Sequence, residues 1–121
     1  MEKLQFNKLV GDNVVPKLEA RGLQFEARII ESDDEYGAEL VKKIVEEAGE
    51  VRDAKDREEL VKEIADLVDV IAVLRELKGI TDDELSAVLA ARREKRGGFS
   101  KRSYVLWTED DGYRSNGSTK A

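Results

Sequence analysis

The residues of this chain best suited to chemistry are carboxylates. Residues 46–50 read EEAGE and residues 63–66 read EIAD. The first motif places Glu46, Glu47 and Glu50 close together on a helix, where like charges three or four positions apart repel. The second lies thirteen residues beyond Glu50. At about 100° per residue, Glu63 falls among Leu60, Leu67, Val70 and Leu74, inside an apolar sector, and Asp66 steps toward its edge. A carboxylate ionised in such surroundings is costly unless it is paired or holds a metal. If the two segments are adjacent antiparallel helices, the acid patches face one another. Carboxylates converging in this way are relieved by hard divalent cations such as Mg²⁺ or Mn²⁺. The plain alternative is a solvated acidic face, with Glu63 paired to Lys62 or Arg75.

The chain has no cysteine and no histidine, which excludes disulfides, thiol chemistry, histidine general bases and zinc sites of the usual ligand set. Net charge is −6, so nonspecific association with nucleic acid or an anionic membrane is not expected. The charge is unevenly spread. Residues 31–69 hold fifteen acids against six bases, and residues 92–102 hold six bases against one acid. Neither a signal-peptide core nor a run of membrane-spanning length is present, and a cytoplasmic location is expected.

Capping patterns define the elements that must position the acids. Ser32 with Glu35, Asp56 with Glu59 and Thr81 with Glu84 each form a capping-box spacing. They predict helices over about 33–55, 57–78 and 82–96, with glycine stops at Gly79 and Gly97-Gly98. Residues 11–22 predict a shorter helix with Asp12 as N-cap, Pro16 in the first turn and Gly22 at the end. The segments 24–31 and 103–107 read as short strands that pair in an accessory ribbon. Leu40, Val41, Ile44, Val45, Ala48 and Val51 form the apolar stripe of the first long helix. The next helix is apolar around most of its circumference, which predicts a central element and an oligomer interface. Composition and short joins give an all-α, antiparallel bundle of about four helices. Residues 1–107 are expected to form one domain, followed by a loose polar tail over 108–121.

EEAGE followed by EIAD resembles the EExxE…ExxD motif of the MazG-like all-α nucleoside triphosphate pyrophosphohydrolases. NKLVGDNVVP at 7–16 is similar to the KLVRDKIP opening of one branch, the phosphoribosyl-ATP pyrophosphohydrolase-like or house-cleaning enzymes. REKRGGFSKRSYVL at 93–106 is similar to that branch's ending. The resemblance implies cleavage of a nucleotide substrate between its α and β phosphates, giving a monophosphate and pyrophosphate. It also implies Mg²⁺ as cofactor, with Mn²⁺ as a substitute, and a homodimer or homotetramer.

Carried over by position, the resemblance implies Glu47, Glu50, Glu63 and Asp66 as metal ligands and Glu46 or Glu47 as the proton acceptor. Lys8, Arg96 and Lys101 are candidates for binding the substrate's phosphates. Gly11-Asp12 stands where the branch usually has Arg-Asp, and Asn13 where it has lysine, so a cation of the opening motif is missing. The expected activity is house-cleaning of non-standard or surplus (d)NTPs. Hydrolysis of phosphoribosyl-ATP in histidine synthesis is an alternative with the same chemistry. A silent nucleotide-binding or oligomerisation module is a third reading, opposed by retention of the five acids, since a module without metal would gain stability by replacing Glu63 with leucine.

Overall fold

The computed structural model describes residues 2–113, and the remaining part of the expected tail, 114–121, lies outside them. Four helices occur in order: α1 Val14–Ala20, α2 Asp33–Asp53, α3 Arg57–Leu77 and α4 Asp82–Arg96. The all-α class and the three long helices agree with the capping patterns. At each predicted cap the side-chain oxygen accepts from the backbone N–H three residues on. Glu35 N–H donates to Ser32 Oγ at 3.2 Å, Glu59 N–H to Asp56 Oδ1 at 2.8 Å and Glu84 N–H to Thr81 Oγ1 at 3.1 Å. These bonds satisfy donors that a helix start leaves orphaned, each contributing roughly 1 kcal/mol. Glu35 does not complete the reciprocal half of its box; its carboxylate pairs with Arg28 instead.

Two sequence expectations are corrected. The residue capping α1 is Asn13 rather than Asp12, and its side chain makes no cap bond. Neither 24–31 nor 103–107 forms a strand. Their β-branched and aromatic residues suit a pleated surface, but a strand needs a neighbour to receive its backbone groups, and local propensity does not supply one.

The chain divides into two compact units, one running to Gly79 and the other beginning at Ile80. In the first, α2 and α3 pack on each other, joined by the three residues 54–56. The packing is antiparallel, because Gly37 at the start of α2 meets the end of α3. A Cβ at Gly37 would lie 3.5 Å from Leu77 Cδ2 and 3.6 Å from Lys78 Nζ. Beside it, Leu40 at 4% exposure is the one buried hydrophobic side chain among the described residues. Much of the apolar stripe is uncovered. Val45 of α2 is 68% exposed and Val68 of α3 is 59% exposed; Val41, Val61 and Ile64 also face solvent. The expectation that α3 is buried on several sides is therefore not met among the described residues, whose helix packing in the first unit is that of α2 on α3. The second unit comprises α4 and the segment after it. There Gly97, with φ of +84°, adopts the left-handed half of backbone space that ends α4 without a Cβ penalty.

Candidate metal centre

α2 and α3 run past each other so that their inner acids meet. One carboxylate oxygen from each of Glu47, Glu63 and Asp66 lies within 4.8 Å of the others. Helical periodicity explains the composition of this group. Glu63 and Asp66, three residues apart, share a face of α3, and Glu47 is the acid of α2 turned toward that face. The Glu47 side chain is only 12% exposed, against 31% for Glu46. Glu50, a turn further on, is exposed and is not a member of the group.

Glu46 is held by two lysines. Lys8 Nζ donates to its Oε1 at 2.8 Å, and Lys43 Nζ lies 3.4–3.5 Å from both oxygens. Lys43 is also 3.8 Å from Glu47. Sequence reading missed Lys43, although its spacing to Glu46 and Glu47, three and four residues, is the signal of a helical ion pair. It did single out Lys8, as a phosphate ligand; in the structure that ammonium is engaged by Glu46. Arg96, the last residue of α4, and Lys101, on the segment that follows it, lie in the second unit.

The two adjacent glutamates are driven in opposite directions. The hydrogen bond from Lys8, with further help from Lys43, holds Glu46 below the usual carboxylate range. Burial raises Glu47 above it; Lys43 opposes this, and the charges of Asp66, Glu46 and Glu63 add to it. Lys8 is raised by its bond to Glu46, and Glu47 and Glu50 contribute to the field it feels.

These residues fit a hard divalent cation. The donors are all carboxylate oxygens from two helices, and Glu47, raised first by burial and further by the charges of Asp66, Glu46 and Glu63, is the one least accessible to solvent-screened ionisation without a cation. A Mg²⁺-like ion keeps several waters and needs few protein ligands, so three carboxylates suffice.

The sequence profile of the family described as phosphoribosyl-ATP pyrophosphohydrolase matches residues 22–93. No curated protein and no solved structure matched the chain. The matched span covers more than half of the sequence and includes α2, α3 and all five acids of the two motifs, while Lys8, Arg96 and Lys101 lie outside it. With Glu47 of EEAGE meeting Glu63 and Asp66 of EIAD between two antiparallel helices of an all-α fold, the chain belongs to the phosphoribosyl-ATP pyrophosphohydrolase family, and thus to the MazG-like pyrophosphohydrolases that act on phosphoanhydride bonds.

Proposed function

We propose that this protein hydrolyses a nucleotide between its α and β phosphates, releasing a nucleoside monophosphate and pyrophosphate, with Mg²⁺ held by Glu47, Glu63 and Asp66. The convergence of those three carboxylates supports the reading most directly. A bound cation would polarise a phosphoryl oxygen and acidify a water. Glu50, on the same helix and exposed, is available as a further or water-mediated ligand. Glu46 stays outside the three-oxygen group and is held ionised by Lys8 and Lys43, so we assign it to accept the proton of the attacking water.

For the substrate we favour non-standard or surplus (d)NTPs, on the similarity of residues 7–16 to the house-cleaning opening. The family match supports phosphoribosyl-ATP equally. A homodimer or homotetramer would cover exposed apolar residues of α2 and α3 such as Val41, Val45, Val61, Ile64 and Val68.

The test is a panel of (d)NTPs and phosphoribosyl-ATP with Mg²⁺ or Mn²⁺, read as pyrophosphate release. The expected result is turnover that is lost in Glu47→Gln and Glu63→Gln. Preference for phosphoribosyl-ATP would reassign the substrate, and an inert wild type across the panel would end the reading. Light scattering reports the assembly, and a monomer at micromolar concentration would refute the oligomer.

A further inference from the structure

Lys43 stands on α2 one turn before Glu46 and Glu47. Its ammonium is shared between them rather than docked on one. Nζ lies 3.5 Å from Glu46 Oε1, 3.4 Å from Glu46 Oε2 and 3.8 Å from Glu47 Oε1. It therefore bridges a member of the three-carboxylate group and the glutamate that stays outside that group. The Lys43 side chain is 18% exposed, against 73% for its neighbour Lys42.

Helix stability does not account for this placement. A glutamate one turn before a lysine is the more favourable order on a helix, because both charges then complement the helix dipole. Lys42 follows that order and pairs with Glu39, three residues before it, at 3.0 Å. Lys43 has the reverse order with both of its partners. It also gives up solvent to reach them, which costs free energy that only close opposite charge offsets.

The position has two consequences for cation binding. An ammonium beside Glu47 opposes a divalent ion at the same carboxylate, since like charges repel more strongly where water is partly excluded. The same ammonium reaches both oxygens of Glu46, one of which also accepts from Lys8. Released from Lys43, the Glu46 carboxylate becomes a fourth acidic donor next to Glu47.

We propose that Lys43 is a positioning residue, whose ammonium keeps Glu46 out of the metal's coordination and holds the cation affinity of Glu47, Glu63 and Asp66 below what the carboxylates alone would give. Affinity is thereby exchanged for function, because Glu46 stays free to face a water. The proposal rests on the pyrophosphohydrolase reading for the task of Glu46, while its effect on the cation is read without turnover.

The experiment is titration of the full chain with Mn²⁺ alone, at neutral pH and low salt, with free ion read by electron paramagnetic resonance. Lys43→Met keeps an unbranched stem and removes the charge, and should tighten Mn²⁺ binding by about tenfold or more. Lys43→Arg keeps the charge and should stay within about twofold of wild type, as should the solvent-facing control Lys42→Met. In a Glu46→Gln background the gain from Lys43→Met should shrink to roughly threefold or less, because the fourth carboxylate is gone. With nucleotide and Mg²⁺, kcat of Lys43→Met should fall about tenfold while KM does not rise. A merely loosened helix would weaken cation binding and turnover together. Circular dichroism checks helical content, and Lys43→Gln serves as the neutral variant if Lys43→Met loses it.

Mn²⁺ affinity that is unchanged or weaker in the neutral variant, an undiminished gain with Glu46→Gln, an undiminished kcat, or Lys43→Arg behaving like Lys43→Met would each overturn the proposal. So would a wild type that binds no Mn²⁺. Tighter Mn²⁺ binding in Lys43→Met from a protein that hydrolyses no nucleotide would keep the role of Lys43 toward the cation and end the enzymatic reading. Hydrolysis by a wild type whose Mn²⁺ affinity is indifferent to Lys43→Met would do the reverse.

Discussion

Lys8 Nζ and Glu46 Oε1, 38 positions apart in the chain, form a 2.8 Å ion pair that ties the N-terminal segment to α2 beside the carboxylate cluster. The lysine lowers the proton affinity of the glutamate. Lys8→Met removes the largest cause of that lowering, so the Glu46 pKa should rise. If Glu46 is the proton acceptor, the acid limb of kcat/KM moves to higher pH in this variant. An unmoved limb with an unchanged substrate preference would assign Glu46 elsewhere. The effect on stability should be small, within about 1 kcal/mol, because both partners are partly exposed to screening solvent. Because Glu46 is lowered, that contribution is present above the ordinary carboxylate range. It disappears as pH falls through the folded-state value.

Glu47 carries the opposite sign. Its pKa is raised in the fold, so its ionised form is disfavoured at neutral pH and the cost is relieved as pH falls through the raised value. Glu47→Gln should therefore raise the melting temperature of the metal-free protein. The same change should remove the stabilisation conferred by Mg²⁺ or Mn²⁺, which for a site saturated at a hundred times Kd is about 2.7 kcal/mol in the wild type. Differential scanning calorimetry with EDTA and with each cation separates the two effects. A melting temperature in the wild type that is indifferent to both cations would refute the metal centre.

Gly49 sits between Glu47 and Glu50 within α2. A Cβ there would meet only Arg52 Nη2, at 3.8 Å, so no close approach requires the glycine within one chain. Gly49→Ala should stabilise the protein by about 0.5–1 kcal/mol, the helix-propensity difference, as measured by urea denaturation. A destabilised variant would mean that a second copy or the substrate uses the space.

Gly11 has open space around it, with no heavy atom within 4 Å of a Cβ position, and its backbone is not left-handed. Gly11→Arg, which restores the residue usual in the similar branch, should fold with a melting temperature within about 2 °C of wild type, as surface substitutions do. A KM lowered several-fold for a triphosphate would show that the missing cation belongs to the phosphate side of the site. An unchanged KM would locate the compensation elsewhere.

Much of the architecture was legible because it is local. Ser32, Asp56 and Thr81 cap helices through bonds that span three residues, and the glycine stops act over similar distances. The helical period alone turns Glu63 inward and carries Asp66 to the edge, and it brings EEAGE and EIAD to one interface once the short join at 54–56 makes the helices antiparallel. The chemistry to look for, hard-cation binding by carboxylates, was thereby determined by the sequence.

Tertiary structure decided how the acids were divided. Glu47 joined Glu63 and Asp66, Glu50 stayed exposed, and Glu46 was taken by Lys8 and Lys43. Residue type cannot make that choice, since the three glutamates of EEAGE differ by rotations of one to four residues and the outcome depends on what faces each. Lys8 is reached only by folding a segment 38 positions away against α2. The ribbon failed for the same reason: 24–31 and 103–107 have strand composition, and pairing is a property of two segments in space rather than of either one. Local signals set the helices and the donor type, while long-range packing set which oxygens meet and which lysine they answer to.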